Sequence, residues 1–214
     1  MTIDRAALPF VALAAAPSAV LAAVGRPVPA LVSLVLPLLI ALFFRDPART
    51  PPPDPALVLS PADGKVMHAG PARADEAPPG RWLQVTIFLS LLDVHINRAP
   101  VAGRVTRVDY VPGSFVAAFR PESYRNEHSE IWMDRAGRTV VFRQVVGVLA
   151  RRVVTRIKAG DMLRSGDRIG LMKFGSRMDV FVPENADLLV RTGQTVRAAE
   201  TAVARLVDQA GAGA

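Results

Sequence analysis

The sequence predicts an α+β fold that is mainly β: a small barrel- or sandwich-like domain with glycine-turn hairpins, preceded by an N-terminal hydrophobic helical hairpin. Three observations carry this. Residues 10–44 are almost wholly apolar and split in the middle at Gly25-Arg26-Pro27-Val28-Pro29. The rest of the chain breaks into short apolar or alternating runs bounded by Gly, Pro and Asp, as strands do. Glycines also recur at a fixed offset, in Ile157-x-x-Gly160-x-x-Leu163-x-x-Gly166-x-x-Ile169 and Val190-x-x-Gly193-x-x-Val196.

The apolar tract is the first element. Its two arms, residues 10–24 and 28–44, are each a little short of the roughly 20 residues a single span needs, and Pro17 and Pro37 interrupt them. A hairpin that dips into or barely crosses a bilayer fits better than one straight span. A signal peptide fits less well, because the leading region is nearly uncharged and the apolar tract too long. Arg45 and Arg49 follow at once, which places the globular part on the cytoplasmic face of a cell membrane and favours an anionic leaflet. Residues 45–55 form a proline-rich linker that cannot continue a helix, and residues 56–214 form the second domain. Strands are expected over 56–59, 65–67, 82–89, 103–110, 139–146 and 151–157, with an amphipathic helix over 198–209.

Composition narrows the chemistry. The 214 residues hold no cysteine, which excludes disulfides, thiolate metal sites and a cysteine nucleophile. The three histidines, His68, His95 and His128, form no H-x-H or H-E-x-x-H pattern, so no metal site is expected. The net charge of +7 suits nucleic acid or an anionic membrane surface; the apolar tract favours the membrane, and no nucleic-acid partner is expected.

Several residues could carry chemistry. Asp63-Gly64, in Ser60-Pro61-Ala62-Asp63-Gly64, is a hairpin-turn dipeptide on its own terms. His95 lies in Asp93-Val94-His95-Ile96-Asn97-Arg98, just past the strongest strand, where either a catalytic or a hydrogen-bonded structural histidine can sit. His128 falls in a polar loop and is expected to be solvated; His68 is expected to be structural. Gly175-Ser176 lies between apolar runs 169–172 and 180–182, so a tight turn between two strands is its simplest local reading. A glycine carbonyl is also the least shielded target for the hydroxyl of the next residue.

In order along the chain, Phe43-Phe44-Arg45-Asp46-Pro47, Ser60-Pro61-Ala62-Asp63-Gly64-Lys65-Val66, Asp93-Val94-His95-Ile96-Asn97-Arg98, Tyr124-Arg125-Asn126-Glu127 and Lys173-Phe174-Gly175-Ser176 resemble the phosphatidylserine decarboxylases. The resemblance spans residues 43–183, and the hydrophobic hairpin and compact length are similar to the short form of that family. It implies a proenzyme that cuts itself at Gly175-Ser176. Ser176 Oγ attacks the Gly175 carbonyl, the resulting ester is eliminated to dehydroalanine, and hydrolysis leaves a pyruvoyl cofactor at position 176. Chains 1–175 and 176–214 then form a heterodimer. The resemblance assigns Asp63, His95 and Ser176 to the self-cleavage triad, on the logic of a base that activates a hydroxyl and an acid that orients the base. It further implies that phosphatidylserine condenses with the pyruvoyl carbonyl, loses CO2 and leaves as phosphatidylethanolamine, with His95 as the general acid.

One position departs from the pattern. Longer members carry a second histidine three residues after the first, and that position here is Arg98, which cannot act as a base. Either His95 performs both duties or processing uses another base; Arg98, with Asn97, is then a candidate for binding the substrate carboxylate or phosphate. Three other readings fit less well. A membrane-anchored adaptor with a lipoyl-like β domain would carry long heptad helices. A β-sheet zinc peptidase would need paired histidine ligands. A pyruvoyl decarboxylase for a soluble amino acid would have no use for the hairpin.

Overall fold

A computed structural model describes residues 1–148, 153–173 and 175–207. The chain forms two compact units, Met1–Ala48 and Arg49–Ala214.

The first unit is the helical hairpin. Strand β1 (Thr2–Ile3) pairs antiparallel with β2 (Arg45–Asp46) and brings its two ends together. Between them run α1 (Leu8–Ala23), α2 (Pro27–Ser33) and α3 (Val35–Phe43). Asp4 Oδ1 accepts from Ala6 N at 2.9 Å and opens the helical stretch. The second arm is broken at Leu34 because Pro37 has no N–H to offer the Ser33 carbonyl and its ring crowds that carbonyl. Ser33 Oγ instead meets Ser18 Oγ at 2.6 Å, which ties the two arms through hydroxyls in an otherwise apolar pair. With its leading 3-10 turn, the helix Arg5–Ala23 is long and apolar enough to cross a membrane by length and composition.

The second unit is almost entirely β. Its strands are β3 (Leu57–Leu59), β4 (Gly64–Pro71), β5 (Trp82–Leu89), β6 (Ile96–Arg98), β7 (Gly103–Val111), β8 (His128–Arg135) and β9 (Arg138–Val145). There follow β10 (Val153–Thr155), β11 (Met162–Leu163), β12 (Arg168–Met172), β13 (Ser176–Pro183), β14 (Asp187–Leu188), β15 (Thr195–Val196) and β16 (Ala202–Arg205). An antiparallel sheet of order β11-β7-β8-β9-β13-β5-β4-β15 curls into a half-barrel. Two three-stranded sheets, β10-β12-β6 and β14-β16-β3, complete the unit. Side chains alternate across each strand, so Val105, Met133, Val140 and Val182 form one cross-strand row of the core, and Val85, Ile131, Phe142 and Val180 the next.

β13 lies between β9 and β5 and is buried from Ser176 to Val182. Met178, Val180 and Val182 face the core. Arg177 and Asp179 face the opposite side, which is covered by residues 73–77 and 121–125 and is also dry: Arg177, Asp179 and Glu76 are 3%, 1% and 5% exposed. Arg177 Nε bonds both Asp179 oxygens, at 2.8 and 3.1 Å, and Nη2 pairs with Glu76. Thr86 Oγ1 donates to Asp179 at 2.7 Å and Gln84 Nε2 to Glu76 at 3.1 Å. Burial alone would raise the Glu76 pKa, but the Arg177 charge and these hydrogen bonds outweigh it and hold the carboxyl below its ordinary value. Burial likewise works against the Arg177 charge, and Asp179 and Glu76 reverse it upward.

Strands expected at 82–89, 103–110 and 139–146 match β5, β7 and β9. The expected glycine turns fall at Gly160, Gly166 and Gly193, each with positive φ. For the strand expected over 151–157, β10 spans Val153–Thr155, and residues 151 and 152 lie outside the described residues. Three expectations are corrected. Residues 198–207 are not helical: Ala199 takes φ 62°, and Ala202–Arg205 is a strand paired with β3 and β14. Small apolar residues fit both periods, and pairing with Leu57–Leu59 decides for the strand; residues 208 and 209 lie outside the described residues. Asp63-Gly64 is not a hairpin turn, because β3 and β4 belong to different sheets. His128 is not solvated but 8% exposed at the head of β8, with Nδ1 2.8 Å from the Asn126 carbonyl.

Two outcomes follow for stability. Glu76→Gln leaves the buried Arg177 with one counter-charge fewer and should cost about 3 kcal/mol in urea denaturation, the scale of a broken buried pair. His128 has its pKa lowered, first by burial and then by Arg143, against the raising effect of its bond to Asn126. The unfolded chain therefore takes up this proton first. Its stabilising contribution is complete above the ordinary value of 6.5 and is lost as pH falls through the lower folded value. His128→Gln should flatten the pH dependence of the denaturation midpoint in that window.

Candidate active site

The Gly175-Ser176 bond is where the chain passes from β12 in a three-stranded sheet to β13 in the half-barrel, so it is a crossing and not a hairpin turn. Gly175 has φ 73°, a left-handed conformation that favours glycine, and a Cβ there would meet open space. Its carbonyl is held differently. A Cβ on Gly147, just past β9, would come within 2.2 Å of Gly175 O. Glycine at 147 is thus required by close approach to the carbonyl that Ser176 would attack.

Asn126 fixes that approach. Its Nδ2 donates to Val116 O at 2.7 Å and to Val146 O at 2.8 Å, while Oδ1 accepts from Val116 N and Ser114 Oγ, both at 3.0 Å. All of its amide hydrogen-bonding groups are used, pinning residues 114–116 to the end of β9 beside Gly147.

His95 comes from the lead-in to β6. The Asp93 carboxylate accepts from Ser90 N and Ser90 Oγ at 2.8 and 2.7 Å, making a tight turn that presents the Asp93 carbonyl to His95 Nδ1 at 2.9 Å. A carbonyl can only accept, so Nδ1 carries the proton and the neutral ring has its lone pair on Nε2. Gly175 N–H points at that atom from 3.5 Å. The histidine is therefore brought to the glycine that precedes Ser176, with the ring in the tautomer a base requires. Ser176 Oγ is fully buried and has no hydrogen-bond partner among the described residues.

Asn97 and Thr155 flank Gly170 in the three-stranded sheet. Gln144 reaches in over Gly170, donating to Asn97 Oδ1 at 2.8 Å and lying 2.8 Å from Thr155 Oγ1. This fixes the flip of Asn97 and leaves its Nδ2 buried and unpartnered among the described residues.

The other expected site residues lie elsewhere. Arg98 alternates to the opposite face of β6, where Nη1 donates to Gly166 O at 3.0 Å beside a polar cleft of about 530 Å³ that it lines with Arg156 and Arg168. The Asp63 carboxylate is taken by Arg49 Nη2 at 2.7 Å and Ala198 N at 2.8 Å, so the expected Asp63–His95 pair is not formed among the described residues. What orients His95 is Asp93, through its backbone.

An apolar cleft of about 560 Å³ opens at Gly175, lined by Phe88, Leu91, Leu92, Ala117, Phe119 and Val148. Phe119 packs edge-on against Phe88 with centroids 6.0 Å apart. Leu92 is 84% exposed and Phe119 58%. The sequence reading missed this cleft; its one local signal is the Leu91-Leu92 pair carried past the end of a strand into a polar loop.

A β domain that holds a glycine–serine bond beside a histidine, next to an apolar cleft, fits the class of pyruvoyl-dependent carboxy-lyases. The family model described as phosphatidylserine decarboxylase matches residues 36–204. The chain is 35% identical over 207 residues to the phosphatidylserine decarboxylase proenzyme of Desulfotalea psychrophila, covering 96% of this chain and 97% of that one. It is 46% identical over 166 residues to the proenzyme of that name from Symbiobacterium thermophilum, covering 77% of each. With that from Solibacter usitatus it shares 44% over 168 residues, covering 78% of each. The chain belongs to the phosphatidylserine decarboxylase family.

The two glycines separate by experiment. In a Ser176→Ala background, which removes the hydroxyl beside the bond, Gly175→Ala should cost about 1–2 kcal/mol for its left-handed backbone. Gly147→Ala should cost more, because backbone must move. Thermal denaturation of the two variants orders them.

Proposed function

We propose that this chain is a proenzyme that cuts its own Gly175-Ser176 bond and then decarboxylates phosphatidylserine to phosphatidylethanolamine. The main support is the bond itself: a left-handed glycine, a buried hydroxyl with no partner among the described residues, and a histidine whose Nε2 faces the glycine N–H. In the precursor, Ser176 Oγ forms a bond to the Gly175 carbonyl carbon as His95 Nε2 takes the hydroxyl proton. The amide C–N bond breaks with a proton delivered to nitrogen, giving an ester. Removal of the Ser176 α-proton then expels the Gly175 carboxylate, and water replaces ammonia at Cα. The residues present fit a pyruvoyl group at 176, since position 176 is buried on a central strand away from water and its neighbour Gly175 lines an apolar cleft. When formed, that group supplies the electron sink for loss of CO2.

The protein's own groups do the rest. His95, held in one tautomer by Asp93, takes a proton from the substrate ammonium on Nε2 and, once CO2 has left, returns it to the substrate carbon. The apolar cleft seats the acyl portion of the lipid and excludes water. The inward Asn97 Nδ2 donates to the substrate's polar head, and Arg98 draws anionic headgroups to the neighbouring face. Asp63 acts at a distance: with Arg49 it fixes the 61–64 turn, whose Pro61 carbonyl receives Arg98 N at 2.9 Å and so sets β6. Chains 1–175 and 176–214 remain together as a heterodimer. The apolar helix Arg5–Ala23 anchors the protein to the cell membrane, with the β domain on the cytoplasmic face.

The test is CO2 release from phosphatidylserine labelled in the serine carboxylate. The wild-type protein should run as two chains and release label. Ser176→Ala should remain one chain and release none, and His95→Gln should slow both steps by about 100-fold or more. Release of label by uncut Ser176→Ala would overturn the reading. Free serine as a substrate equal to the lipid would favour a soluble amino acid decarboxylase.

A further inference from the structure

Arg177 is the residue immediately after the proposed cut, and three of its guanidinium nitrogens are committed. Nε goes to Asp179 and Nη2 to Glu76, which leaves Nη1, and Nη1 donates to Ser123 Oγ at 3.0 Å. Ser123 is fully buried and passes the bond on, its hydroxyl donating to Ala118 O at 3.0 Å. A hydroxyl has one proton, so the direction of this relay is fixed: Arg177 can only donate, and Ser123 must give its proton to the carbonyl. Ala118 and Phe119 form one wall of the apolar cleft at Gly175. Ala118 Cβ also lies 3.5 Å from where a Cβ on Gly147 would be, so the same wall backs the Gly147–Gly175 contact. Asn126 holds the 114–116 end of this segment; its 118 end is held by Ser123.

We propose that Ser123 is a positioning residue for acyl-chain recognition: it fixes the wall of the apolar cleft by reference to the strand that begins at Ser176. The inference rests on the reading of that cleft as the seat of the lipid's acyl chains. Because Arg177 is held by two buried carboxylates, its Nη1 is a rigid reference point next to the position where the reacting group forms. Loss of the Ser123 hydroxyl frees the Ala118 carbonyl and lets Phe119 swing, since the ring contact it makes among the described residues is an edge-on one with Phe88. Selectivity for two long acyl chains over a bare headgroup should therefore depend on a side chain that touches neither.

The experiment compares kcat/KM of the full-length protein for dioleoyl phosphatidylserine in mixed micelles with that for water-soluble glycerophosphoserine. Ser123→Ala should lower the ratio of the two about tenfold, the size of one lost hydrogen bond to a charged group, mostly through KM for the diacyl lipid. Ser123→Thr, which keeps the hydroxyl, should restore it. Ser123→Cys is nearly isosteric and bonds weakly, so it should show the same loss in a core that is not emptied. An unchanged ratio in Ser123→Ala and Ser123→Cys, or a fall equal for both substrates, would overturn the proposal. A wild-type protein inactive on both substrates would instead overturn the reading of the site on which it rests.

Discussion

Strand β13 is held on all four sides, and the proposed scissile bond sits where that hold begins. β9 and β5 saturate its edges, the hydrophobic core takes one face and the Arg177–Glu76–Asp179 cluster takes the other. Cutting a chain inside a domain removes a covalent tether, and the new end then stays only if noncovalent contacts outweigh the freedom released. Here the first residues after the proposed cut already have their ladder partners in the chain before it, Leu89 facing Ser176 and Phe88 facing Arg177. A terminus made there would be formed in place, already in its ladder beside Leu89.

The polar face of β13 explains an otherwise costly feature. Three charged side chains are removed from water beside a site that also has an apolar cleft. A buried pair of this kind adds little stability over a well-packed apolar substitute. Its value is directional: a guanidinium with fixed donors ties together residues far apart in the chain. Arg177 reaches Glu76 on one side and Ser123 on the other. The strand carrying the reactive residue and the wall of the cleft are positioned by one side chain.

Much of this was legible in the sequence and some was not, for physical reasons. β5 could be read because Gln84-Val85-Thr86-Ile87-Phe88-Leu89 is rich in strand-forming residues, and the hairpin because its apolar tract breaks at Gly25-Arg26-Pro27. β8 was hidden because its outer face carries His128, Glu130 and Trp132 in a polar cluster that looks like loop composition. The strand at 202–205 was mistaken for a helix because Ala and Val at short spacing satisfy either period until Leu57–Leu59 pairs with them. Ser176 and His95 were singled out by motif, yet the expected Asp63–His95 pair is not formed among the described residues, since local sequence cannot reveal that Arg49 takes the carboxylate. The cleft was invisible because its walls come from segments near 90, 118 and 148 that meet only in the fold.

The central claim is that Ser176 becomes the reactive group and not merely a new terminus. Intact mass of the separated 176–214 chain tests it most directly. The account predicts a chain lighter by one ammonia than the product of simple hydrolysis, blocked to Edman chemistry and shifted in mass by a carbonyl reagent. A small chain beginning with an ordinary serine, or a single uncut chain in an active preparation, would contradict it.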